Sequence, residues 1–267
     1  SDNEVNIKIA LNAEVASGAL TMPNRNKLLA KMTDAVARLV LEDNRLQTLA
    51  LSIAQRGGAN AMPSHIRLIE TFEAAKKLDR AVEGLAPNDI LVRRAQDGLG
   101  LTRPELAVLL STAKLALQDA IEHSNVAQDP AMIDDLLAGF PPAMVKAHRS
   151  AIENHQLRGQ IVATKTANRL INRLGLIHPF ELAEEEGASL GDIAASFVIV
   201  ERLFSLRTMW DAIDDADVSE GARLMLFEQV AMEARAQMAD LLRNAVAGRS
   251  VGDTIAALAP GVSRALP

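Results

Sequence analysis

Four residues, Thr102-Arg-Pro-Glu105, constrain this chain more than any others. A Thr at a helix N-cap accepts the backbone N–H three residues on. A Glu at that third position reaches back to the cap's own N–H, so the pair satisfies donors that every helix start leaves free. Pro104 falls in the first turn, where its missing N–H costs nothing. Leu106, Leu109, Leu110, Ala113 and Leu117 then recur at helical spacing. Gly98-Leu-Gly100 ahead of the box lets the chain turn sharply. Capped helical stripes of this kind recur along the chain, and nothing up to residue 142 reads as a sheet. The predicted fold class is all-α, an irregular multi-helix bundle of roughly ten helices.

Composition fits that reading. Hydrophobic residues make up 49% of the 267, but aromatic ones only 3%, with one Trp and no Tyr. A core built from Leu, Ala, Ile, Val and Met suits helix-on-helix packing better than a sandwich. The net charge of −6 disfavours nucleic acid as a partner, because that binding needs a cationic surface. With no Cys the chain has no disulfides and no thiolate metal sites. Charges in residues 1–9 exclude a secretory h-region there. No apolar run approaches the ~20 residues that a membrane span needs. An opening Ser1 without Met is expected of a piece of a longer protein.

In chain order, residues 1–12 read as a helix with Ser1 and Glu4 as a capping box, and 13–22 as a loop. Pro23 opens a helical region that Gly57-Gly58 ends, with Asp34 placed in a first turn of its second part and Asp43 expected as a buried, hydrogen-bonded carboxylate. Ser64 is expected to cap a helix to Leu78. Short helices follow at 79–85 and 87–96, then the long one from Thr102 to about His123. Residues 129–139 and 143–174 are helical again, with Gly159 marking a close approach. Ser189 caps a helix running through Trp210. Ser219 caps another, whose Phe227, Ala231, Ala234, Met238, Leu241 and Ala245 form one narrow seam. A short helix at 250–259 precedes a tail marked by Pro260. The whole of 1–267 reads as one helical domain, with 175–189 as a candidate internal joint because it gathers Gly, Pro and an acidic run.

Most motif matches give way to plainer readings. Gly187-Ala-Ser189-Leu-Gly191 has the G-x-S-x-G spacing of a nucleophile elbow, but an acidic helical segment stands where the elbow needs a strand. Asp192 three residues on makes Ser189 an N-cap instead. His148 and His155 are seven apart and read as surface histidines without a third metal ligand. Glu184-Glu-Glu186 reads as a solvated run, and Arg93-Arg94 is too small for a phosphate patch. Gly98-Leu-Gly100 lacks the third Gly and the preceding strand of a dinucleotide fingerprint. Composition and pattern alone therefore stop at a helical domain.

Four stretches carry a family resemblance. They are Ser1-Asp-Asn-Glu-Val-Asn-Ile-Lys-Ile9; Met32-Thr-Asp-Ala-Val-Ala-Arg-Leu-Val-Leu-Glu-Asp-Asn44; Leu101-Thr-Arg-Pro-Glu-Leu-Ala-Val-Leu-Leu110; and Asn168-Arg-Leu-Ile-Asn-Arg-Leu-Gly175 running on to Glu185-Glu-Gly-Ala-Ser-Leu-Gly-Asp-Ile193. In this order they resemble the C-terminal region of the large bacterial NAD-specific glutamate dehydrogenases. The resemblance implies a parent enzyme that oxidatively deaminates L-glutamate to 2-oxoglutarate and ammonia and uses NAD. It implies a piece that lacks catalytic residues and the NAD site, that is inactive alone, and that braces the catalytic domain of the same chain or mediates subunit contacts. A homo-oligomeric, cytoplasmic parent without nucleic-acid or membrane partners is implied as well. In that family a serine shortly after the dinucleotide domain contacts the substrate's side-chain carboxylate, and Ser1 is the position that matches. A hydroxyl beside free N–H groups at a helix start suits that role, with a plain N-cap as its alternative. The other functional class left open is a free-standing helical interaction module.

Overall fold

Two helices buried on nearly all sides carry the core. The computed structural model describes residues 2–244 and 250–265, and among these there are fourteen α-helices and no strand. The helices are α1 (Asp2–Ala16), α2 (Met22–Arg56), α3 (Met62–Ala74), α4 (Asn88–Gln96), α5 (Arg103–Glu122), α6 (Ile133–Leu137), α7 (Pro142–Ala147), α8 (Arg149–Glu153), α9 (Arg158–Leu174), α10 (His178–Glu186), α11 (Leu190–Leu203), α12 (Leu206–Asp215), α13 (Glu220–Arg243) and α14 (Val251–Ala265). In α9 both faces are buried, from Ile161 and Val162 to Ala167, Leu170 and Ile171. The same holds for α11, from Ile193 to Val200. Helix α11 is apolar nearly all round, as a helix inside a larger body is, whereas α9 buries its polar side partly through the ion pairs of Arg169 and Arg173. Helix α5 lies along α9; α13 and α14 flank α11; α2 crosses α5, α9 and α13.

The capping box forms as read: Thr102 accepts from the Glu105 N–H, and the Glu105 carboxylate accepts from the Thr102 N–H at 2.7 Å. Arg94 closes on the same carboxylate at 2.7 Å. Gly100 has a second reason to be Gly, since a Cβ there would sit 2.7 Å from the Gly58 carbonyl. Gly159 is a close approach too, but to Gln128 in a 3-10 turn at Asn125–Gln128 rather than to another helix.

Several segments depart from the sequence reading. Helix α1 runs to Ala16, into the segment read as a loop, and α2 runs unbroken for 35 residues, so Asp34 is mid-helix. Helix α3 starts at Met62, three residues upstream of the turn that a Ser64 cap would begin. The Ser64 hydroxyl instead donates to Glu181 of α10 at 2.6 Å. Residues 79–85 form turns, not a helix: the Asp79 carboxylate takes the Ala81 and Val82 N–H groups, and Gly84 adopts φ +68°. The helix expected from Ser189 through Trp210 breaks at Ser205, which is left-handed (φ 53°, ψ 41°). The new axis of α12 lets Trp210 stack on Phe197 at 6.3 Å. Helix α14 passes through Pro260 on an exposed side, where water can take the freed carbonyl.

Buried charge ties the short helices to the core. Asp135 of α6 is 0% exposed and Glu201 of α11 is 1% exposed. Around them stand Arg169 of α9, Arg202 of α11 and Arg207 of α12. Arg202 and Arg207 donate to Asp135 at 2.7 and 2.8 Å, and Arg207 also to Glu201 at 3.0 Å. Arg169 approaches Asp135 at 2.7 Å and Glu201 at 2.5 Å, outside hydrogen-bond angles, so its contribution is Coulombic. Burial alone would raise the Asp135 carboxyl; the three arginines outweigh it and hold the group below its ordinary range.

The seam on α13 is inside: Phe227, Ala231, Ala234 and Met238 are all buried. Leu241 packs against the core, and Ala245 lies outside the described residues. Ala234→Glu should therefore cost about 3 kcal/mol or more, the penalty of an unpaired buried charge. Glu233→Ala, on the exposed side of the same turn, should cost under about 0.5 kcal/mol. Urea midpoints of the two variants check this, and equal midpoints would remove α13 from the core.

Candidate functional site

A cleft of about 530 Å³ opens where α1 begins, between α2 and α9. Asp2, Asn3, Val5 and Asn6 form its α1 wall; Val40, Asp43, Asn44 and Gln47 its α2 wall; Gln160, Thr164, Lys165 and Asn168 its α9 wall. Each helix presents these residues at spacings of three and four, so each set shares one face. The polar wall is mostly side-chain amides, with two carboxylates, Asp2 and Asp43, and one ammonium. Lys165 donates to Asp43 at 3.2 Å. Asp43 is thus hydrogen-bonded, as read, but its side chain is 38% exposed rather than buried.

Behind this pair lies Lys114 of α5. Its ammonium is buried and has no hydrogen-bond partner among the described residues. Burial pushes it down to about 8 from 10.5, and the Asp43 charge only partly opposes that. The sequence held a signal for Lys114: it sits four residues after Leu110 and one after Ala113, at the edge of the inward stripe. Lys165 and Asn168 had none, since polar residues on a helix are unremarkable until a neighbouring helix faces them.

Two histidines fix α1 in place, against their reading as surface groups. The Leu157 N–H donates to His155 Nδ1 at 3.0 Å, so His155 is neutral there and its Nε2–H donates to the Asn6 carbonyl at 3.0 Å. His148 Nδ1 meets the Glu14 carboxylate at 2.6 Å, near the other end of α1. Both are hinge pins between α1 and the segment 148–157.

The other sequence candidates sort out plainly. Ser1, the candidate substrate contact, lies outside the described residues; its neighbours Asp2 and Asn3 line the cleft. Ser189 and Asp192 make a reciprocal capping box, with N–H donors at 3.1 and 3.2 Å, and Gly191 is required because a Cβ would meet Ser124 at 2.8 Å. The acidic run is solvated, as read, at Glu184 and Glu185, which are exposed while pairing with Arg67 and Arg235; Glu186 is the one turned in, paired with Arg243. Arg93 and Arg94 pair with Asp89 and Glu105. No cluster of three metal-ligating side chains occurs among the described residues. An open depression of about 820 Å³ over residues 73–87 is larger than the cleft. Its main cation, Arg80, is already committed to Glu73, Asn88 and the Ala86 carbonyl.

Comparison with known proteins gives two family matches, separated by residues 55–97. The family model "Glutamate dehydrogenase, C-terminal" matches residues 98–266. The model "Bacterial NAD-glutamate dehydrogenase, catalytic domain" matches residues 1–54. The NAD-specific glutamate dehydrogenase of Pseudomonas aeruginosa is 40% identical over 226 residues, covering 85% of this chain and 14% of that protein. That of Halomonas elongata is 36% identical over 267 residues, covering 99% and 16%. That of Mycobacterium tuberculosis is 33% identical over 218 residues, covering 82% and 13%. The chain thus spans 13 to 16% of the length of these curated relatives.

The buried ammonium makes a pH-dependent prediction. Lys114 loses its proton more readily folded than unfolded, so the unfolded chain binds more protons between about pH 8 and 10.5, and stability rises with pH across that window. Lys114→Met should stabilise the chain at pH 7 by about 1–2 kcal/mol, a gain that shrinks toward pH 10.5. Urea midpoints at the two pH values check it; a destabilised variant at pH 7 would mean the ammonium has a partner.

Proposed function

This chain belongs to the bacterial NAD-specific glutamate dehydrogenase family, and on that footing we propose that it is a brace, the helical C-terminal region of such an enzyme joined to the end of its catalytic domain. The parent reaction in this proposal is oxidative deamination of L-glutamate to 2-oxoglutarate and ammonia, with hydride passing to NAD. The observation that carries the reading is α2. Residues 1–54 match the catalytic domain and 98–266 the C-terminal region, and α2 is tied to the second group at successive turns. Asp43 pairs with Lys165, and Arg45 with Asp214 at 2.8 Å. Thr48 and Ser52 accept from Arg103 at 3.1 and 3.3 Å. Arg56 pairs with Glu228 at 3.0 Å. A rigid helix held along half its length transmits position from the helical body to whatever its other half touches.

The residues of the cleft do not fit a dinucleotide. They offer amides, two carboxylates and one ammonium, without the strand-to-helix glycine turn whose N–H groups take a pyrophosphate. In this proposal NAD is held by the part of the parent upstream of Ser1, and the chain alone neither binds NAD tightly nor turns over glutamate. Ser1, next in sequence to the cleft-lining Asp2, takes the substrate's side-chain carboxylate in this proposal. A cytoplasmic homo-oligomer is proposed for the parent; no helix among the described residues is long and apolar enough to cross a membrane. Matches to two regions of one family, in one chain, count against a free-standing interaction module.

In the full-length parent, Ser1→Ala should raise the KM for glutamate by about ten- to a hundredfold, the worth of a hydrogen bond to a carboxylate, and leave NAD affinity unchanged. An unchanged KM would reduce Ser1 to an N-cap. Glutamate-dependent reduction of NAD by the isolated 267-residue chain would overturn the brace reading.

A further inference from the structure

Helices α1 and α2 carry apolar surface that the rest of the chain does not cover. The 35 residues of α2 bury only Met32, Leu49 and Ala50. Val5 is 54% exposed and Leu41 is 66% exposed. Val5 and Val40 stand on the rim of the cleft, and Leu41 lies one turn before its Asn44. Beneath this rim the wall is amide side chains and a neutralised Asp43–Lys165 pair. Among the described residues, the side chains of Asn44, Gln47 and Asn168 make no hydrogen bond within the chain. Exposed apolar residues around a hydrogen-bonding floor of amides, whose charges are Asp2 and one ion pair, have the make-up of an interface, in which apolar and hydrogen-bonding groups outnumber charges.

The family matches say what covers it. Residues 1–54 correspond to catalytic domain, and two helices cannot hold a domain's core by themselves. Their remaining apolar face must meet the rest of that domain. We propose that the face carrying Val5, Val40 and Leu41, with the cleft beside it, is the intrachain docking surface for the upstream part of the catalytic domain. The inference rests on the proposed role as part of a larger dehydrogenase, and it adds the surface through which that role is exerted. Helix α1, pinned by His148 and His155, then sits between the helical body on one side and the upstream domain on the other.

The test is hydroxyl-radical footprinting of the full-length parent enzyme. Leu41 and Leu115 have the same chemistry and nearly the same exposure in this chain, 66% and 65%. Val5 and Val82, at 54% and 78%, are a second pair. Docking predicts that Leu41 and Val5 are oxidised roughly tenfold more slowly than their controls, as solvent-excluded side chains are. Equal rates within each pair would overturn the proposal. Cross-linking of enzyme assembled from light and isotopically heavy chains identifies the occupant. Links from Lys8 or Lys165 to upstream residues of the same polypeptide support docking of its own catalytic domain. Links only between light and heavy chains would assign the face to a second copy and overturn it. Either failure, in an enzyme that still oxidises glutamate, leaves the family role standing and removes only this surface.

Discussion

The pair of buried carboxylates, Asp135 and Glu201, is the constraint on which the rest of the body depends. Neither touches water, so each is tolerable only while arginines surround it. Those arginines come from three helices, and each carboxylate comes from a different one. Short α6 and α12 are both fixed against α9 and α11 by this cluster, α12 also by its buried Trp210. Its arginines serve twice, since Arg169 also lies over the Phe197 ring at 5.7 Å. A second cluster repeats the pattern one turn along α9. Arg173 bonds Asp214, which also takes Arg45, and its guanidinium lies over Trp210 and Phe227 at 5.2 and 5.1 Å. Charge and aromatic packing thus set the direction of α12, the helix whose axis the sequence missed.

From that fixed body α2 extends. Its ties to α9, α12, α5 and α13 are polar and lie on the half nearest the C-terminal region, while its other half packs on α1. This division lets α2, which lies almost wholly in the region matching the catalytic domain, hold on to helices of the C-terminal match. Lys114 stays charged and unpartnered beneath the cleft, a destabilising feature with no structural benefit visible within this chain.

Legibility followed the range of the interactions. Local signals were readable: the Thr102–Glu105 and Ser189–Asp192 boxes, Gly57 closing α2, and the α13 stripe all appear where the residues put them. What could not be read was set by partners distant in sequence. The Ser64 hydroxyl goes to Glu181, 117 residues away, so it caps nothing. His148 and His155 look like surface residues until α1 arrives from more than a hundred residues upstream. The Asp135 cluster was invisible because nothing local distinguishes Asp135 from Asp134 beside it; only the folded chain buries one of them. Of the cleft, the sequence offered only the neighbouring Ser1, through the family resemblance of residues 1–9; its α2 and α9 walls were illegible because helices distant in sequence form them.

The central claim is that the buried carboxylate of Asp135 organises the body, whereas the half-exposed Asp43 does not. Asp135→Asn and Asp43→Asn make the same change at the two sites. Urea unfolding at pH 7 should show Asp135→Asn destabilised by about 3–5 kcal/mol, because arginines are left buried against a neutral group. Asp43→Asn should cost under about 1 kcal/mol, as a partly solvated pair does. Equal losses for the two variants would contradict the account.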